Sequence, residues 1–106
     1  MRSTLTPTQR IDRSISEAEL ESFVEECLIL FRWVWHHASD SRRSTPGLPD
    51  IVAARDGRLI FAELKTEIGR VTTGQERWFA ELATCEHVET YIWRPRDMNE
   101  IIEVLK

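Results

Sequence analysis

The stretch Asp50-Ile-Val-Ala-Ala-Arg-Asp-Gly-Arg-Leu-Ile-Phe-Ala-Glu-Leu-Lys65 decides the fold. Its two apolar runs, 50–54 and 59–65, flank Arg55-Asp56-Gly57-Arg58, and Asp-Gly between such runs is the strongest short-range signal for a β-hairpin. A turn centred on Asp56-Gly57 makes paired positions sum to about 113, which sets Asp50 opposite Glu63. Side chains alternate along a strand, so Leu59, Phe61, Glu63 and Lys65 share one face while Ile60, Ala62 and Leu64 share the other. Two carboxyl groups and one ammonium therefore converge at one end of one sheet face.

Taken alone, Glu63-Leu64-Lys65 also reads as a strand end meeting water. Asp50, just after the turn-forming Gly47-Leu48-Pro49, gives it chemical content. Two close carboxylates repel unless one is protonated or a cation bridges them, and hard oxygen donors of this kind suit Mg²⁺ or Mn²⁺ rather than zinc. Such an ion polarises a phosphate and lowers the pKa of water, while Lys65 would hold the attacking water or stabilise charge in the transition state. No Ser-His-Asp set, Gly-rich phosphate loop or Cys-His metal spacing competes with this constellation.

Working outward, Ser16 and Glu19 form a capping box, with Ile15 and Leu20 as its hydrophobic staple. Leu20, Phe23, Val24, Cys27, Leu28 and Phe31 recur at helical spacing, which predicts a helix over 17–31. Residues 33–37 read as a strand with Trp33, Trp35 and His37 on one face and Val34 and His36 on the other. A loop over 39–49 precedes the hairpin. A second helix follows it, with Thr73 and Glu76 as capping box and Trp78, Phe79, Leu82 and Ala83 on its apolar face. Residues 87–93 form a last strand, and Asp97 with Glu100 caps a final helix carrying Ile101, Ile102 and Leu105. The order αβββαβα, with a helix between the third and fourth strands, implies a crossover and hence an α/β fold with a mixed central sheet flanked by helices.

A chain of 106 residues accommodates one domain, read here as 16–106 after a flexible arm over 1–15. Its hydrophobic share of 42% and charged share of 30% are those of a soluble globular protein, without a membrane span or signal peptide, so the expected location is cytoplasmic. Cys27 and Cys85 read as free thiols. The formal net charge of −4 excludes coating nucleic acid through bulk positive charge. Arg42, Arg43, Arg55, Arg58, Lys65, Arg70 and Arg77 are instead expected to form a local basic rim.

Gly47-Leu48-Pro49-Asp50, then Glu63-Leu64-Lys65, then Gln75 opening a helix, resemble the PD-(D/E)xK nuclease superfamily and within it the VRR-NUC branch. Ser41-Arg42-Arg43 before the turn and Trp93-Arg94-Pro95 after the last strand extend the likeness. The resemblance implies a restriction-endonuclease-like core and a Mg²⁺- or Mn²⁺-dependent DNA endonuclease. In it Asp50, Glu63 and the backbone carbonyl of Leu64 bind metal and Lys65 is catalytic. It also implies an acidic residue of the first helix near the metal: Glu17 on helical-wheel grounds, with Glu21 the alternative, where relatives commonly carry Gln. Gln75 faces inward, either capping its helix with Thr72 or orienting the metal's water or Lys65. His37, Arg42 and Arg43 are candidate DNA contacts, against a packed histidine and a solvated loop.

The expected partner is DNA, including branched or four-way junctions. One site per small chain nicks two strands symmetrically only with a partner or by rebinding, so a homodimer is expected; Trp33, Trp35 and Trp93 are interface or core residues. The resemblance also points to a phage-like source in a bacterial or phage-infected cell. A catalytically inactive nucleic-acid-binding module of the same fold is the alternative function.

Overall fold

The computed structural model describes residues 14–38 and 45–106. Arg42, Arg43 and most of the expected N-terminal arm lie outside the described residues. The elements run α1 (Glu17–Leu30), β1 (Val34–His37), β2 (Ile51–Arg55), β3 (Arg58–Leu64), α2 (Thr73–Leu82), β4 (Val88–Trp93), a 3₁₀ turn (Pro95–Asp97) and α3 (Met98–Leu105). The αβββαβα order is therefore the one read from the sequence. Among the described residues no helix is long and apolar enough to cross a membrane.

The hairpin has the expected register. Asp56 and Gly57 both take positive φ (50° and 82°), the double left-handed turn whose twist matches two antiparallel strands. Ile51 then pairs with Ala62 and Arg55 with Arg58. Strand order is β1-β2-β3-β4, antiparallel except for β3–β4, where α2 supplies the crossover that a parallel pair requires.

Alternation along the strands splits the sheet into two unlike faces. The inner face contributes Ile51, Ala53, Ile60, Ala62, Leu64 and Trp93, which pack with Leu20, Val24 and Leu28 of α1 and with Ile101 and Leu105 of α3. Each fully buried Leu or Ile of this set stabilises the fold by roughly 1.5–3 kcal/mol. Trp33 and Trp93 are core residues, 5% and 1% exposed, which removes them as exposed interface aromatics. The outer face is covered by α2, which buries none of its residues fully.

Three local expectations are corrected. The N-cap of α2 is Thr72, not Thr73: Thr72 is extended (φ −81°, ψ 163°), its hydroxyl accepts from Gln75 N–H, and Gln75 Oε1 accepts from Thr72 N–H, so the N3 partner is Gln75 rather than Glu76. Asp97 stands at the start of α3, yet its carboxylate accepts from Arg94 N–H at 2.8 Å and closes the 3₁₀ turn instead of capping the helix.

Arg55 and Arg58, expected in a basic rim, belong to the structural frame at the turn end of the hairpin. Their guanidiniums lie 4.6 and 5.0 Å from the Trp33 ring centroid. Arg55 donates to the carbonyls of Phe31 and Leu105, and Arg58 donates to the carbonyl of Val104 and to both oxygens of Glu89. Trp33 Nε1 adds a bond to Leu105 O at 2.8 Å. The last turn of α3, whose carbonyls have no partner within the helix, is thereby tied to the hairpin.

Candidate active site

The site lies at the opposite end of the hairpin. Ala38 N–H donates to Asp50 O at 2.8 Å, extending the β1–β2 ladder by one step and fixing Asp50 at the mouth of the sheet. Asp50 is then tied to β3 twice. Asp50 N–H donates to Glu63 Oε1 at 3.2 Å, and Leu64 N–H donates to Asp50 Oδ2 at 2.9 Å. Leu64, the residue with the candidate carbonyl ligand, is tied to Asp50 in this way through its N–H.

Glu63 is 3% exposed and is, among the described residues, the charged one that is buried. Its second oxygen accepts from Gln75 Nε2 at 2.6 Å and lies 3.6 Å from Lys65 Nζ. Of the two readings of Gln75, the structure shows the cap: Oε1 accepts from Thr72 N–H, while Nε2 donates to Glu63 rather than to Lys65, so the cap fixes which end of the amide faces the carboxylate. Burial, and then the charge of Asp50, push the Glu63 carboxyl up to about 7 against the opposing pull of Lys65. Proton or cation is needed to relieve this pair. Among the described residues, no group of three or more His, Cys, Asp or Glu side chains is gathered closely enough to hold a metal ion.

A pocket of about 320 Å³ opens onto Asp50, bounded by Glu17 and Glu21 of α1, His37 of β1, the 45–48 turn and Gln75. Glu17 is exposed on its wall. Glu21 sits deeper: its carboxyl is raised chiefly by burial, with His37 opposing and the charges of Glu17, Asp50 and Glu25 adding. His37 faces α1 as well as the pocket, with Nε2 3.6 Å from Glu21 and Nδ1 3.1 Å from Glu25. Arg70 and Arg77 are exposed.

Two supports stood in the sequence as parts of motifs, Gly47 in a turn and Arg94 after the last strand, but the sequence did not indicate their contacts. Gly47, at φ +85°, lies against the first turn of α2 so closely that a Cβ there would meet Gly74 C at 2.3 Å. Arg94, directly after β4, fastens the loop that leaves Lys65: its Nη1 donates to the carbonyls of Thr66 and Gly69, both at 2.7 Å. The Glu67–Arg96 ion pair at 2.6 Å fastens the same loop a second time. A Cβ on Gly69 would stand 3.5 Å from Lys65 Cδ, so the loop walls in the lysine stem. Arg94→Ala should lower stability in chemical denaturation by about 2 kcal/mol, since hydrogen bonds to charged groups are each worth roughly 1.5–3 kcal/mol, and should speed amide exchange over 66–69. Arg94→Lys should recover less than half of that loss, because an ammonium lacks the planar fork.

A mixed sheet whose hairpin presents Asp50 opposite Glu63-Leu64-Lys65, with helices on both sides, is the α/β arrangement expected from the sequence. The chain matches the VRR-NUC domain family over residues 3–94 and belongs to it. That family is a nuclease-type domain. A solved VRR_NUC domain structure is 19% identical and superimposes with a TM-score of 0.66, covering 82% of this chain and 94% of that chain, which establishes the shared fold. Among curated proteins none matches the chain.

Proposed function

We propose that residues 16–106 form a Mg²⁺- or Mn²⁺-dependent endonuclease that hydrolyses phosphodiester bonds of DNA. The observation that carries this reading is Asp50 bonded across the hairpin to Glu63 and Leu64, with Lys65 Nζ and Gln75 Nε2 both on the same Glu63 oxygen. Asp50 and Glu63, with the Leu64 carbonyl and either Glu17 or Glu21, would hold the ion. Bound there, it supplies charge to polarise the scissile phosphate and to acidify water.

The chain's own groups do the rest. Gln75, locked by Thr72, holds the Glu63 carboxylate in one orientation. Lys65, 15% exposed at its side chain, has its stem walled in by the Thr66–Gly69 loop, so its ammonium meets developing negative charge without first losing side-chain freedom. With a net charge of −4, DNA must be held locally, by Arg70 and Arg77 among the described residues and by Arg42 and Arg43. Symmetric action on junctions or on both strands of a duplex would use a homodimer or rebinding, of which the homodimer is the reading proposed.

Incubation of the purified chain with labelled four-way, flap and linear DNA and Mg²⁺ or Mn²⁺, beside Lys65→Ala, tests the assignment. Cleavage should require the ion and fall by about 10²–10³-fold in the variant, the range for removing one preorganised stabilising group. Undiminished cleavage by Lys65→Ala overturns the role of Lys65. Tight DNA binding without cutting under either ion would make the chain a binding module instead. Light scattering on the same preparation decides the dimer.

A further inference from the structure

A second groove, of about 390 Å³, adjoins the acidic pocket and is lined by Thr45, Pro46, Gly74, Arg77, Trp78 and Glu81. Thr45 and Pro46 line both hollows, so one begins where the other ends. Their chemistry differs sharply. The pocket is carboxylate-lined, whereas the groove offers the half-buried Trp78 indole, a proline ring and the bare backbone of Gly74, with Arg77 exposed at its rim.

Helix geometry links the groove to the reacting centre. Trp78 lies three residues beyond Gln75 on α2, and residues so spaced are surface neighbours with Cβ atoms about 5–6 Å apart. Gln75 touches Glu63 at 2.6 Å. A strand whose phosphate rests at Asp50 and Glu63 therefore passes the indole within about one nucleotide. A purely apolar occupant would use Trp78 and Pro46 but leave Arg77 and Glu81 idle. A nucleotide uses them all: the base stacks on the indole, the flanking phosphate meets Arg77, and a base N–H, such as the N3–H of thymine, can donate to Glu81.

We propose that this groove receives the unpaired nucleobase next to the cleaved phosphate. The inference rests on the nuclease reading and specifies its substrate, since a paired base reaches such a groove only by leaving its stack, at a cost of a few kcal/mol that an already unpaired base avoids.

The test uses the full chain carrying Lys65→Ala with Mg²⁺, and compares a labelled twelve-nucleotide oligothymidine with an abasic strand of equal length by fluorescence anisotropy. Adding Trp78→Ala should weaken oligothymidine binding about tenfold, within the range for losing one base–aromatic stack, and leave abasic binding unchanged. Trp78→Phe should stay within about threefold of the parent. If Trp78→Ala fails to fold by circular dichroism, Trp78→Leu, of similar bulk without an aromatic face, should show the same selective loss.

Equal losses on both strands, or no loss on either, overturn the groove, including the case in which a segment of this chain fills it. Cleavage by the unaltered chain is scored separately. Cutting without Trp78-dependent discrimination overturns the groove alone, and discrimination without cutting overturns the nuclease reading alone.

Discussion

Gly47→Ala should cost about 2–5 kcal/mol of stability and at least 10²-fold in cleavage, the largest effect expected of a methyl group added at any of the four glycines. Two penalties combine. At φ +85° an alanine is strained, and its Cβ would lie 2.3 Å from Gly74 C, 2.5 Å from Gly74 O and 2.8 Å from Gln75 N. All three are backbone atoms of the first turn of α2, so no side chain can swing aside. Either the 45–49 turn or α2 must retreat, and Asp50 follows the turn while Gln75 rides on the helix. Displacement by about 1 Å at such a site is enough for a 10²-fold loss.

The same contact seen from the other side predicts the reverse. A Cβ on Gly74 would meet Gly47 Cα and Pro46 O at 3.6 Å, which is ordinary packing, and alanine favours the helix over glycine by up to about 1 kcal/mol. Gly74→Ala should therefore be neutral or slightly stabilising. Thermal melts and cleavage rates of the two variants decide the matter; equal effects would mean that the 45–49 turn does not rest on α2 as described.

Stripped of divalent ions, the chain should lose stability as pH rises from about 5 to about 8. In the unfolded chain Glu63 titrates near its ordinary value of 4.5, whereas burial and the Asp50 charge raise it to about 7 in the fold. The folded state thus holds a proton that the unfolded state has released, and stability falls with pH between those two values. The group's contribution is complete below the unfolded value, declines across the interval and levels off above about 7, by roughly 3 kcal/mol in all at most. Glu63→Gln should flatten this limb of the melting-temperature profile measured in EDTA. Adding Mg²⁺ should raise the melting temperature more at pH 8 than at pH 6, because the ion competes with the proton for the same oxygens. A profile of unchanged slope in Glu63→Gln would remove Glu63 as its source.

The hairpin and its register were legible in the sequence because Asp56-Gly57 is a turn with little conformational choice, and a fixed turn fixes every pair above it. Convergence of Asp50 and Glu63 followed from arithmetic alone. Features that depend on how elements cross were not legible. Thr72 and Thr73 are equivalent as caps until Gln75, fixed on Glu63, selects the threonine three residues before it. A helical wheel placed Glu17 near the centre of the apolar stripe, yet it carries no information on where α1 crosses the sheet; in the structure Glu21 is the one that feels both His37 and Asp50. Arg55, Arg58 and Arg94 look like surface cations in sequence. Their partners are mostly backbone carbonyls from remote segments, which leave no mark in residue identity.

The light seating of α2 has a consequence of its own. The helix has no fully buried residue, while α1, α3 and the inner sheet face share a continuous core. Detaching α2 withdraws Gln75 from Glu63 and unmakes both hollows, yet leaves that core whole. With so little buried surface of its own, α2 is the element expected to open locally before the core unfolds, which amide exchange would report. On the proposed nuclease reading, a strand lying across pocket and groove would touch both the sheet and α2, and so would favour the seated helix.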